Sequence, residues 1–254
     1  MDDLAAKDSP VHRIGPTAKL LSTVIYIAVT LSFDKYQLSA LVPMLLWPVA
    51  LFQLSGIPVR LCLYRLRFVL PLVMAVGLFN PLLDRAPLLH LGGMAVSGGT
   101  VSMLTLMLKG VFCLMASFLL MATTGIDRLC AALRRLLVPG YLVTLMLLTY
   151  RYISVLTEEL AVMTDAYRLR APGQKGIHVS AWGSFLGQLL LRSMDRAQAL
   201  YDSMLLRGYH EHFHYVPIRP FSAGDGLFLA GSAGIFALLR LVDIGRLLGS
   251  LVVR

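Results

Sequence analysis

Residues 36–59 read YQLSALVPMLLWPVALFQLSGIPV, 24 consecutive positions without Asp, Glu, Lys or Arg. A helix needs roughly 20 apolar residues to cross the hydrocarbon core of a bilayer, so this stretch reads as a membrane span. Working outward, charge-free windows recur at residues 20–33, 68–83 and 226–239, and a longer one at about 101–124 is interrupted only by Lys109. The windows at 36–59 and about 101–124 are long enough by themselves, and the other three need their flanks or a tilt. Pro43, Pro48 and Pro71 fall inside these windows. Membrane helices tolerate proline where neighbours satisfy the freed carbonyls, so kinks are expected there.

The whole composition agrees with that reading. Of 254 residues, 57% are apolar and only 15% charged, against roughly 25% charged in a soluble domain. Mean hydropathy is +0.73, which excludes disorder as firmly as it argues against a soluble enzyme. Cys62, Cys113 and Cys130 share no metal-ligand spacing and read as core thiols. The net charge of +9 reads as cytoplasmic loops and not as a nucleic-acid surface. The start, MDDLAAKDSP, is acidic, so no cleavable leader is expected.

Charge also divides the chain. Residues 1–124 carry 14 charged side chains, residues 125–222 carry 18, and residues 223–254 carry five. Each charge costs ~2.5–3.5 kcal/mol at a bilayer centre, so the middle block is expected largely outside the lipid. Three regions follow: an N-terminal membrane domain at 1–124 with about four spans, a cytoplasmic domain at 125–222, and a C-terminal span at 223–254. The fold class is all-α and polytopic, with about five transmembrane helices plus long amphipathic cytoplasmic helices. Lys7, Arg13, Lys19, Arg60, Arg65 and Arg67 join the basic residues of the middle block on one side, leaving only Lys35 and Arg85 opposite. The positive-inside rule then sets the N-terminus in the cytoplasm and, after five crossings, Arg254 outside. The loop at 86–100, with Gly92, Gly93, Gly98 and Gly99, is expected to be exterior and flexible.

Within the middle block the apolar period is helical. A short helix at 127–137 ends at Pro139-Gly140. Leu142, Met146, Thr149, Ile153, Leu156, Leu160, Met163 and Tyr167 recur at steps of three and four, opposite Arg151, Glu158 and Asp165. That helix ends at Arg170-Ala171-Pro172-Gly173. A second long helix puts Leu190, Met194, Ala197, Tyr201, Met204 and Leu205 on one side and Arg192, Asp195, Arg196, Asp202 and Arg207 on the other, and stops at Gly208. Each long helix therefore finishes on an arginine beside a helix breaker. Periodicity alone leaves open whether these are ordinary C-terminal caps or contact points.

Residues 189–209, LLLRSMDRAQALYDSMLLRGY, together with Thr149-Tyr150-Arg151-Tyr152, Glu158-Glu159, Asn80-Pro81-Leu82-Leu83-Asp84 and the segment from Val11-His12 to Lys19-Leu20, resemble the transmembrane T component of energy-coupling factor (ECF) transporters. The resemblance is strongest to the CbiQ-type cobalt and nickel branch and covers nearly the whole chain. It implies a non-catalytic subunit of the inner membrane that couples ATP hydrolysis by two ABC-type ATPase partners to uptake of cobalt or nickel. The ion would be captured by a separate CbiM-like substrate-binding S component, and a small accessory membrane subunit can belong to such a complex. The resemblance further implies that Arg207 with Gly208 is one ATPase-coupling anchor and Arg170 the other, with Arg192, Asp195 and Arg196 supporting the second helix. A guanidinium fork suits that task, because it holds carboxylates or carbonyls bidentately. The first anchor departs from the family pattern, with Ala171-Pro172 where glycine is usual.

Other residues allow competing readings. His210, His212 and His214 lie on alternate positions, which on a strand would share one face and could hold a metal; a solvated basic loop is the alternative. Lys109 is a functional candidate because a membrane charge is expensive, or a snorkelling or packed lysine. The methionines of its span read as packing. No G-x-x-x-x-G-K-[ST] run occurs in the sequence, so no nucleotide site is expected, and no cofactor or catalytic residue is assigned. Rival functions are a T component for a vitamin such as biotin, a stand-alone secondary carrier, and a membrane metalloenzyme built on the three histidines.

Overall fold

Pro16 opens the first helix, α1 (Pro16–Leu31), at a position where its missing N–H removes nothing a helix start would have bonded. The computed structural model describes residues 9–83, 87–91, 94–174, 176–209 and 221–241. Next come α2 (Leu38–Leu41), a 3₁₀ turn (Val42–Leu45) and α3 (Leu46–Ser55), which together make one span of 18 residues. Pro43 and Pro48 account for the irregular centre, since neither can donate to the carbonyl four residues back. α4 (Val59–Leu83) bends by 40° at Pro71. A hairpin of β1 (Pro87–Leu91) and β2 (Met94–Ser97) follows, with Leu89 opposite Val96 and Leu91 opposite Met94. The expected flexible loop is therefore a paired element in its described part. The helices α5 (Gly98–Thr123), α6 (Ile126–Arg135), α7 (Gly140–Arg170), α8 (Trp182–Leu206) and α9 (Ala223–Leu241) complete the chain. Apart from the hairpin, the fold is all-α and polytopic.

Among the described residues, four helices are long and apolar enough to cross a membrane: Leu38–Ser55, Gly98–Thr123, Gly140–Arg170 and Ala223–Leu241. The bent α4 makes up to five. Two details differ from the sequence reading. α1 has only 16 residues, short for a crossing. α7 qualifies, although it lies in the block expected outside the lipid. Its first charge is Arg151, so its first 11 residues are uncharged, and treating 125–222 as one charged block hides them.

The chain forms two compact units, Met1–Ala132 with Ile218–Arg254, and Leu133–Pro217. The core of the first unit is built on α1. Tyr26 stacks on Trp47 of α3 with ring centroids 4.6 Å apart, and Phe236 of α9 meets both rings edge-on at 5.3 Å. The Tyr26 hydroxyl donates to the Met44 carbonyl at 3.0 Å. That carbonyl is the one Pro48 leaves without its helical donor. α4 and α5 pack closely where glycine allows it: a Cβ at Gly77 would sit 3.2 Å from Met103, and one at Gly110 would sit 3.2 Å from Val73.

Lys109 has a local explanation in this unit. Its ammonium donates to the carbonyls of Leu31, at 3.3 Å, and Phe33. Arg240 donates to the Ser32 carbonyl at 3.2 Å and lies over the Phe33 ring. Two cations thus meet the carbonyl end of α1, where the helix dipole is negative and the last C=O groups lack intrahelical donors.

Candidate coupling site on the second unit

α7 and α8 are joined by a turn that begins with Pro172. A residue before proline is pushed away from helical geometry, and Ala171 sits at φ −127, ψ 65. Arg170 is therefore the last helical residue of α7. The turn is organised around Tyr167, whose hydroxyl bonds Gln174 Oε1 at 2.9 Å and accepts the His178 N–H at 3.3 Å.

α8 ends differently. Arg207 is its C-cap, and Gly208 takes the left-handed conformation at φ 81. The Tyr209 N–H donates to the Met204 carbonyl at 3.0 Å and the Gly208 N–H to the Leu205 carbonyl at 2.9 Å. This is a Schellman cap, which favours glycine because other residues are strained there.

Both arginines are exposed, and neither guanidinium bonds a described residue. Each adjoins an exposed leucine, Leu169 at 84% and Leu206 at 90%. Two helix tips therefore present the same pair, a leucine and a free guanidinium. A cation with adjacent apolar surface is the composition of a protein-docking spot, since arginine and apolar anchors are enriched where interfaces bury.

The supporting residues separate. Arg192 bonds Glu159 of α7, and Arg196, one turn later, reaches the other carboxylate oxygen of Glu159 at 3.3 Å. Asp195 is exposed and bonds no described residue. Reasoning from the sequence identified the two arginines but not Glu159 as their shared partner. It lies 33 and 37 positions earlier, and no local spacing signals such a pair. The apolar stripe of α8 is open, with Leu190, Met194, Tyr201 and Leu205 all exposed. His210, His212 and His214 lie outside the described residues. Among the described residues no group of three or more His, Cys, Asp or Glu is placed to hold a metal.

Known proteins are similar to this sequence. Residues 7–215 match the family model described as CbiQ, cobalt transport protein. An uncharacterized protein of Methanocaldococcus jannaschii, MJ1571, is 29% identical over 150 residues, 58% of this chain and 51% of that protein. The cobalt transport protein CbiQ of Rhodobacter capsulatus is 34% identical over 123 residues, 46% of this chain and 50% of that protein. The energy-coupling factor transporter transmembrane protein EcfT of Bacillus subtilis is 25% identical over 216 residues, 79% of this chain and 81% of that protein. The matches thus span about half the length of the first two relatives and most of the third. With the family model covering most of its length and apolar helices long enough for a bilayer, the chain is a membrane protein that belongs to the CbiQ cobalt transport protein family.

Proposed function

We propose that this chain is the transmembrane T subunit of an ECF-type transporter. It couples ATP hydrolysis by two partner ATPases to uptake of cobalt or nickel ions captured by a separate substrate-binding membrane subunit. The observation that carries the reading is the pair of exposed Leu-Arg tips, Leu169-Arg170 and Leu206-Arg207, at the ends of two helices braced together through Glu159. Each guanidinium is an anchor for one ATPase, held by carboxylates or carbonyls of that partner. The open stripe of α8 is the surface that packs against the substrate-binding subunit. The chain itself catalyses nothing, and its two arginine tips lie on the cytoplasmic side.

Arg207→Ala lowers recovery of the ATPases with the tagged chain and lowers ATP-driven cobalt uptake, because losing one partner of a buried charge pair costs ~2–5 kcal/mol. Arg170→Ala acts in the same direction. Unchanged assembly and uptake in both variants would overturn the coupling role. A second reading, a T subunit serving a vitamin such as biotin, is favoured by the extent of the match to EcfT, whose name specifies no metal. Identifying the substrate-binding polypeptide that co-purifies separates the two.

A further inference from the structure

The second unit is inserted into the first: the chain leaves the membrane unit after Ala132 and re-enters it at Ile218. The exit falls within α6; the helix before it is α5, and the first described helix after the return is α9. Both are bonded to one short segment, the start of α1. Lys19, only 5% exposed, donates from Nζ to the carbonyl of Thr123, the final residue of α5, at 3.1 Å. Asp225, 6% exposed, accepts the Gly15 N–H at Oδ1 over 2.7 Å and the Ser222 N–H at Oδ2 over 3.0 Å. One carboxylate thus serves the N-terminal ends of α1 and α9 together, where unpaired N–H groups and the helix dipole favour an anion. Gly15 is required by this contact, since a Cβ there would lie 2.6 Å from Asp225 Oδ2.

A buried lysine and a buried aspartate are poor choices if stability is the only aim, because an apolar junction of the same volume serves as well or better. What bonded charges add is direction and register. We propose that the Lys19–Thr123 and Asp225–Gly15 bonds form a permanent clamp that holds the exit and the return of the inserted unit on the start of α1, so that motion of that unit is delivered to the membrane helices. Without it, less of that motion reaches the membrane helices. Lys19 and Asp225 are in this sense positioning residues. The inference rests on the coupling function proposed above.

The test uses the assembled complex with its ATPases and substrate-binding subunit. In a background with Cys62, Cys113 and Cys130 replaced by alanine and shown to transport, Gly15→Cys and Asp225→Cys are introduced together. The ideal Cβ at Gly15 lies 2.9 Å from Asp225 Cγ, close enough for a disulfide. The complex is assembled oxidised, reconstituted in liposomes, and only then reduced, so that folding is complete before the clamp opens. Radiolabelled cobalt(II) uptake and phosphate release are measured on the same vesicles. Oxidised complex is expected to keep the uptake per ATP of the parent, and reduction is expected to lower it by about fivefold or more with ATP hydrolysis retained. Equal coupling in both states overturns the clamp. So does loss of uptake on oxidation, which would mean the junction has to open. Release of the ATPases on reduction also overturns it, because the contact would then serve assembly alone. If the parent complex shows no ATP-driven uptake while it hydrolyses ATP, the function reading fails and the clamp fails with it.

Discussion

Pro48 and Tyr26 show how one residue creates a need that another, 22 positions away, meets. The proline leaves the Met44 carbonyl without a donor, and the Tyr26 hydroxyl supplies one inside an aromatic cluster. Tyr26→Phe keeps the ring packing and removes the donor, so it should cost about 1–3 kcal/mol, the price of an unsatisfied buried acceptor. Thermal unfolding in detergent checks this, and an unchanged midpoint would mean that the carbonyl finds another donor. Cys130 lies outside the membrane spans and is fully buried. Burial holds its thiol above the ordinary cysteine range, and Asp127 acts in the same direction. A raised value means less thiolate at neutral pH. Cys130 should therefore resist maleimide in the folded protein, react as pH rises well above neutrality, and react readily once the protein is denatured; mass spectrometry of alkylated peptides resolves it from Cys62 and Cys113. The need at Met44 is readable from Pro48 in the sequence. The identity of its donor is not, because several hydroxyls lie within the same spans.

At the scale of elements, the two long helices of the second unit end by different means at the same kind of residue. Proline stops α7 and a left-handed glycine stops α8. Gly208→Ala should cost about 1 kcal/mol through the forced left-handed alanine and should reduce ATPase recovery, since it re-aims Arg207. Gly187→Ala is the control: it lies inside α8 with open space around its Cβ position. It should stabilise by about 0.5–1 kcal/mol and leave recovery unchanged. Unfolding midpoints and pull-down yields of the two variants make the comparison. Both helix ends are legible from Arg-Ala-Pro and Arg-Gly alone, because capping is decided within a few residues. The pairing of α7 with α8 through Glu159 is not. Amphipathic periodicity states which side of a helix is apolar, and here that side of α8 is open while the polar sides meet.

For the molecule as a whole, α1 is the element on which the membrane unit converges. Asp225 meets its amide end, Lys109 and Arg240 meet its carbonyl end, and Tyr26 fills its centre. Lys109 is thus a cap for a short helix. Lys109→Met should lower stability by about 1 kcal/mol while uptake per correctly assembled complex stays at the parent level. A specific loss of uptake at full assembly would instead return Lys109 to the transport pathway.

The amino-acid sequence by itself determined the membrane class, the period of the amphipathic helices and the two arginine tips. Each depends on charge density or spacing over a few turns, which is local information. Tertiary structure alone decided the long-range partners of Lys19, Lys109, Glu159 and Asp225, which lie 33 to 210 positions away. In a helical bundle a polar side chain finds its partner through the packing of whole helices, and no spacing along the chain encodes that choice. The same reason explains the altered set of spans: α7 combines an apolar first half with a charged second half, a division that block averages conceal and a continuous helix reveals.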